Sequence, residues 1–185
     1  DTLIFDDPAN DPYTGNDAAT LVGENPSVLN QRLGASAFDI GHVLTRGCSG
    51  TAAGVSGGVG TVCGTAKARG SSCQIATNDR FYIGIICHEL GHQFGAFHTW
   101  NNCPPSNDDA ANYNPIAAFE PGSGSTIMSY AGACQDQNIT NDSDPYYHVN
   151  SIEAIFQYAR EGVGAGCAET ILTENNRPEV SIPLN

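Results

Sequence analysis

Between residues 88 and 98 the chain reads His-Glu-Leu-Gly-His-Gln-Phe-Gly-Ala-Phe-His. Three imidazoles and one carboxylate stand at spacings that suit a catalytic zinc ion. Residues four apart on a helix share one face, a turn above each other. His88 and His92 can therefore bind one metal from the same side. Glu89, beside the first of them, can hold a metal-bound water. Gly95 can take the positive φ that ends a helix and turns the chain sharply, bringing His98 round as a third ligand. The fourth position is then left for water, as in a catalytic rather than a structural zinc site. The chemistry this predicts is metal-assisted hydrolysis, in which zinc lowers the pKa of its water to about 7. Glu89 would take up a proton as the water attacks a carbonyl, and pass it on to the leaving amine. Histidines that merely pack a helix would explain neither Gly95 nor His98.

These residues need a helix and a turn to position them. Asn78 or Asp79 can cap a helix, with Phe81, Ile85, Ile86 and Leu90 as its buried stripe and Gly95 as its end. Cys87 falls within its apolar part and reads as a small core residue. Upstream, Thr2–Phe5 reads as a short strand and 6–30 as polar turns. A helix is expected to begin near Asn25-Pro26-Ser27 and end by Gly34. Phe38–Leu44 alternates as a strand, and His42 on it reads as a structural histidine. Residues 47–60, rich in Gly, Ser and Ala, are expected to form a loop. A short edge strand is expected at 59–63, and 64–77 reads as irregular. After His98, residues 101–121 are polar, and a turn at 121–125 leads into Thr126-Ile127-Met128-Ser129-Tyr130. A second clear helix is expected from about Ser151 to Glu161, with Asn150 and Glu153 as a capping box and Ile152, Ile155, Phe156 and Ala159 as its apolar face. His148, just before it, reads as a local hydrogen-bonding residue or a substrate contact. Residues 171–185 read as an extended tail.

The chain has 185 residues, 20 acidic against 7 basic side chains, and a formal charge of −13. That length allows one domain with a real core. So acidic a surface argues against nucleic acid and anionic membrane as partners, and no apolar run reaches the roughly 18 residues that span a bilayer. With 21 glycines and 10 prolines, long loops are expected. The seven cysteines form no CxxC pair, so scattered disulfides in an oxidising, extracellular setting are expected rather than a zinc ribbon, with Cys87 left unpaired. Asp6, Asp7, Asp11 and Asp17, or Asp136, Asp142 and Asp144, could bind calcium, or stand as solvated acidic loops.

Residues 88–98 match the extended zinc motif of the metzincin metallopeptidases. Met128, the one methionine of the chain, is similar to their Met-turn, in which the methionine packs under the three histidines. Phe38–Leu44, the Gly-rich loop, Lys67-Ala68-Arg69-Gly70 and Pro121–Ala131 resemble secreted bacterial metallopeptidases related to the reprolysins, and the resemblance extends over most of 1–170. It implies an α/β (α+β) fold in a single catalytic domain. An upper part, 1–98, would hold a mixed twisted sheet and the zinc helix. A lower, less regular part, 99–170, would end in the C-terminal helix. Peptide or protein substrate would lie in the cleft between them as an added β-strand, against an edge strand for which 59–63 is the candidate. Specificity would be set by loops around 114–119 and after Tyr130.

The chain departs from the named branches in three places. Tyr130 matches a tyrosine that helps stabilise the oxyanion in astacins and serralysins, where reprolysins have proline; the other reading is a wall of the specificity pocket. Thr99 stands where reprolysins carry Asp and astacins Glu. Residues 1–37 show no long amphipathic helix, so the usual N-terminal strand and helix are expected to be missing, with a propeptide or separate N-terminal chain completing the domain. Similarity to reprolysins implies a Cys63–Cys167 disulfide; Cys103–Cys134 and Cys48–Cys73 are the pairings expected for the rest. Two functions compete: a secreted zinc endopeptidase, and a non-catalytic zinc-stabilised binding module of a larger surface protein. The presence of Glu89 favours the first.

Overall fold

Asp17 starts the first helix by accepting hydrogen bonds from the backbone N–H (3.0 Å) and hydroxyl (2.8 Å) of Thr20, an N-cap that satisfies an otherwise orphaned donor. The computed structural model, which describes residues 3–74, 78–104, 106–109, 112–169 and 171, places this helix, α1, at Ala18–Arg32. It is longer than expected and begins a full two turns earlier. Asn25-Pro26 resembles a cap followed by a first-turn proline, but Pro26 lies inside the helix. The Asn25 side chain points inward, where it donates to the Ala68 carbonyl (2.7 Å) and accepts from the Tyr13 hydroxyl (2.7 Å). The expectation that no long helix precedes the sheet is thus overturned: Ala18, Leu21, Val22, Asn25, Val28 and Leu29 form one buried face.

That face covers a three-stranded sheet in the order β1-β3-β2, built from β1 (Val43–Arg46), β2 (Gly54–Ser56) and β3 (Gly70–Gln74). β1 runs parallel to β3, with Val43 opposite Ser71, and β2 runs antiparallel to it, with Gly54 opposite Ser72. Four expectations change here. Only the end of the predicted 38–44 strand is extended in the sheet, the Gly-rich loop contains β2, the supposedly irregular 64–77 contains β3, and the edge strand is β2 rather than 59–63. Residues 3–5 are not a strand. The central strand hides from a hydropathy reading because it is buried without large apolar side chains. Its sequence is Gly-Ser-Ser-Cys-Gln, and Ser71 hydrogen-bonds the Ala18 carbonyl of α1 at 2.7 Å.

Beyond the sheet, Asn78 caps a helical run that changes pitch: α2 (Asp79–Phe81), a π-helical stretch (Tyr82–Cys87) and α3 (His88–Gln93). The wider π turn shifts the residues before His88 off the 3.6-residue stripe, and of the four expected core residues only Phe81 is fully buried. The C-terminal helix, α4, spans Val149–Arg160 and is capped by His148, not Asn150, through its Nδ1 accepting from the Asn150 N–H at 3.2 Å. Its inner face is Ser151, Ala154, Ile155, Tyr158 and Ala159, whereas Ile152 and Phe156 are exposed. Three disulfides, Cys48–Cys73, Cys63–Cys167 and Cys103–Cys134, brace the loops, and Cys87 is free and half-buried. No helix of the described residues is long and apolar enough to cross a membrane. Apart from Ile171, the predicted tail lies outside the described residues.

Candidate zinc centre

His88 and His92 sit one turn apart on α3, so their rings project from the same face. Gly95, at φ +96°, ends the helix, its N–H bonded to the His92 carbonyl and that of Ala96 to Gly91. A side chain there would be strained by the backbone and would also lie 2.9 Å from Tyr158 Cβ. Past this turn the chain doubles back and His98 faces the first two rings. The His98 Nε2 lies 3.1 Å from His88 Nε2 and 3.0 Å from His92 Nε2, and ligand atoms of all three fall within 4.8 Å of one another.

The outer nitrogens decide what this cluster can hold. Each Nδ1 meets a backbone carbonyl: His88 that of Ile127 (2.7 Å), His92 that of Ala96 (2.8 Å), His98 that of Asn112 (2.7 Å). A carbonyl only accepts, so every Nδ1 carries the proton and every Nε2 presents a bare lone pair. Burial, reinforced by mutual repulsion, holds His88 well below its ordinary range; burial depresses His92 as well and takes His98 down to about 3. Neutral rings with three converging lone pairs and no proton between them cannot satisfy one another. An electrophile bound by imidazole nitrogen fits the space, and the orienting carbonyls are the second-shell partners such ligands require. The residues fit zinc.

Met128 is fully buried and forms a core with Ile127 and Ala96, packed on by Ile83, Cys87, Tyr147 and Ile155. It lies directly under α3: a Cβ at Gly91 would be 2.4 Å from its sulfur, so the helix approaches this closely only with glycine there.

A cavity of about 690 Å³ opens over the cluster. On one side stands the β2 edge, on the other Ser129–Ala131 and Ala133. Glu89 faces this space, 8% exposed, and takes a backbone hydrogen bond from Ser56 of β2; burial raises its carboxyl to about 8, opposed by that bond. A bound cation would push the same group toward ionisation. Tyr130 packs on His98 (ring centroids 4.5 Å apart), and its hydroxyl donates to Asn112 Oδ1 at 2.9 Å. Burial, with the nearby Glu89 and Asp109, raises its phenol.

Other expected residues stand elsewhere. His42 is a structural histidine, bridging Gln93 Oε1 (2.8 Å) and Ser72 Oγ (2.9 Å). His148 stacks on Phe119 at 5.7 Å, and neither it nor 114–119 lines the cavity, which is bounded there by Asn112, Asp142 and Ser143. Neither acidic group forms a metal cluster among the described residues. Asp7, Asp11 and Asp17 hold turns and a cap, and Asp142 pairs with Arg80 at 3.8 Å. Asn112 is the main residue the sequence reading missed; it gives its carbonyl to His98 and its side chain to Tyr130.

A mixed α/β domain with an HExxH helix, a third histidine after a glycine turn and a methionine floor defines a metzincin-type zinc metalloendopeptidase. The sequence matches the family described as metallo-peptidase family M12B, reprolysin-like, over residues 1–158, and the chain belongs to that family. No curated protein matches it.

Proposed function

We propose that this is a secreted endopeptidase that hydrolyses peptide bonds with Glu89 as general base and acid, on a substrate strand laid along β2. The observation that carries this reading is that Glu89 lines one cavity with His88, His92 and His98, whose Nε2 atoms converge, against the β2 edge. Bound zinc would be held by His88, His92 and His98 and would supply Lewis acidity toward water and the scissile carbonyl. Among the described residues β2 pairs with β3 alone, and its outer edge, apart from the Ser56 N–H that meets Glu89, is open to hydrogen-bond an extended peptide. Glu89, within the cavity and anchored by the Ser56 N–H, takes a proton from water and returns it to the leaving amine. Tyr130 turns its hydroxyl from Asn112 toward the developing oxyanion, adding a donor where charge appears. The three disulfides support an oxidising, extracellular location.

Casein cleavage by zinc-loaded protein, with and without chelator, tests the activity. Glu89→Ala is expected to bind zinc and lose turnover by about 10²–10⁴-fold. Retained turnover in that variant would refute the role of Glu89, and absence of chelator-sensitive cleavage in the wild type would refute the peptidase reading.

A further inference from the structure

Glu120 is a carboxylate in an expensive place. It is 6% exposed, and among the described residues no cation forms an ion pair with it. A buried carboxylate of this kind must be met by hydrogen bonds, and here it is met by four. The N–H groups of Ser125 (2.6 Å) and Thr126 (3.1 Å), the Thr126 hydroxyl and the Thr99 hydroxyl (3.2 Å) all donate to it.

The origin of these donors matters. Thr99 directly follows the ligand His98. Ser125 and Thr126 directly precede Ile127, whose carbonyl takes the Nδ1 proton of His88, and Met128. The backbone repeats the connection: Glu120 N–H bonds to the Thr99 carbonyl at 2.8 Å and Thr99 N–H to the Met128 carbonyl at 3.1 Å. Glu120 thus sits where the chain leaving one metal ligand crosses the chain that orients another.

We propose that Glu120 is a positioning residue for the metal centre, fixing His88 through Thr126–Ile127 and His98 through Thr99. This rests on the zinc-peptidase reading. A carboxylate suits the task because it only accepts, so it meets converging N–H and O–H donors without presenting one of its own. A glutamine isostere either turns its amide NH₂ toward the Ser125 and Thr126 N–H groups, a clash of donors, or turns it toward the Thr99 and Thr126 hydroxyls, which must then rotate to accept; in both cases the charge-assisted bonds are lost.

The test is zinc affinity of the full chain, read by competition with a chromophoric chelator, on protein shown to be folded by circular dichroism. Glu120→Gln is expected to weaken zinc binding about 10- to 100-fold, the usual effect of losing an outer partner of a metal ligand. Val28→Ala, in the remote α1 face, provides a variant of lowered stability expected to bind zinc as the wild type does. Unchanged affinity in Glu120→Gln, or an equal loss in Val28→Ala, would overturn the proposal. Should Glu120→Gln not fold, Thr99→Val and Thr126→Val each remove one hydroxyl donor while keeping the backbone. Both are expected to weaken binding by less than Glu120→Gln, and wild-type affinity in both overturns the proposal. Failure of the unaltered chain to bind zinc would instead strike at the peptidase reading itself.

Discussion

Replacing Cys103 and Cys134 by alanine should cost stability and zinc affinity together, whereas removing Cys48–Cys73 should cost the same stability and leave the metal untouched. The two bridges close segments of similar length, with sequence separations of 31 and 25. Chain-entropy estimates give about 3.7 and about 3.5 kcal/mol respectively. Each loss corresponds to a fall in Tm of about 7–15 °C for a domain of this size. The surroundings differ. Cys103 and Cys134 are buried with Trp100, against Tyr113 and Tyr130, and the segment they close carries Asn112, Glu120 and Met128. Loosening it frees the carbonyl that orients His98, so zinc binding should weaken about 10- to 100-fold. Cys73 lies on β3, and its N–H bonds to the Ala53 carbonyl at 2.7 Å beside β2. Loss of that bridge should raise KM for peptide and spare the metal. Urea unfolding of metal-free protein gives the first quantity, chelator competition the second. Equal loss of zinc affinity in both variants would refute the reasoning.

Three further outcomes are expected. Tyr130→Phe should lower kcat about 10²–10³-fold at nearly constant KM if its hydroxyl meets the oxyanion; a KM effect with kcat intact would make it a pocket wall instead. Gly54→Ala places a Cβ 2.5 Å from Glu89 Cγ and 2.7 Å from Oε1, so it should depress turnover at least about tenfold while zinc affinity holds, and full activity would show that Glu89 does not depend on that approach. Burial lowers the His42 pKa in the folded chain below the roughly 6.5 of the unfolded one. The unfolded state therefore binds the proton first: stability is complete above about pH 6.5 and falls as pH drops toward the folded value. Urea titrations of zinc-loaded protein should show a shallower acid slope in His42→Gln, and identical slopes would remove His42 from the account.

The zinc cluster was legible because its information is local. Eleven consecutive residues, 88–98, carry three imidazoles, a carboxylate and the turn between them; helix geometry pairs His88 with His92, and the Gly95 turn brings His98 to them. What orients them was not legible. The acceptors are main-chain carbonyls of Ala96, Asn112 and Ile127, and any residue type can supply a carbonyl. The sheet was hidden for a related reason. Gly54–Ser56 and Gly70–Gln74 are small-residue strands whose burial comes from close contact with α1 and α3, so no alternation of large and polar side chains marks them. α1 was misplaced because Pro26 carries a start signal and the true cap, Asp17, sits in a stretch crowded with other acids. In α4 the residue choice Ile152 and Phe156 suggested one face, and Tyr158 set the other: its hydroxyl bonds to the Val62 carbonyl at 2.6 Å.

That last bond has a kinetic meaning. Tyr158 and Val62 are 96 positions apart, and Cys63 and Cys167 are 104 apart, so α4 is docked by contacts of very high sequence separation. Contacts of this kind form slowly and late. During synthesis the histidine helix emerges well before Asn112, Ile127, Met128 and α4. Until those segments arrive, the imidazoles lack their floor and two of their three orienting carbonyls, so metal capture before closure meets floppy ligands rather than a fixed triad. A chain cut short ahead of Asn112 would therefore carry the full motif without the floor or the two carbonyls that hold its rings in a fixed geometry.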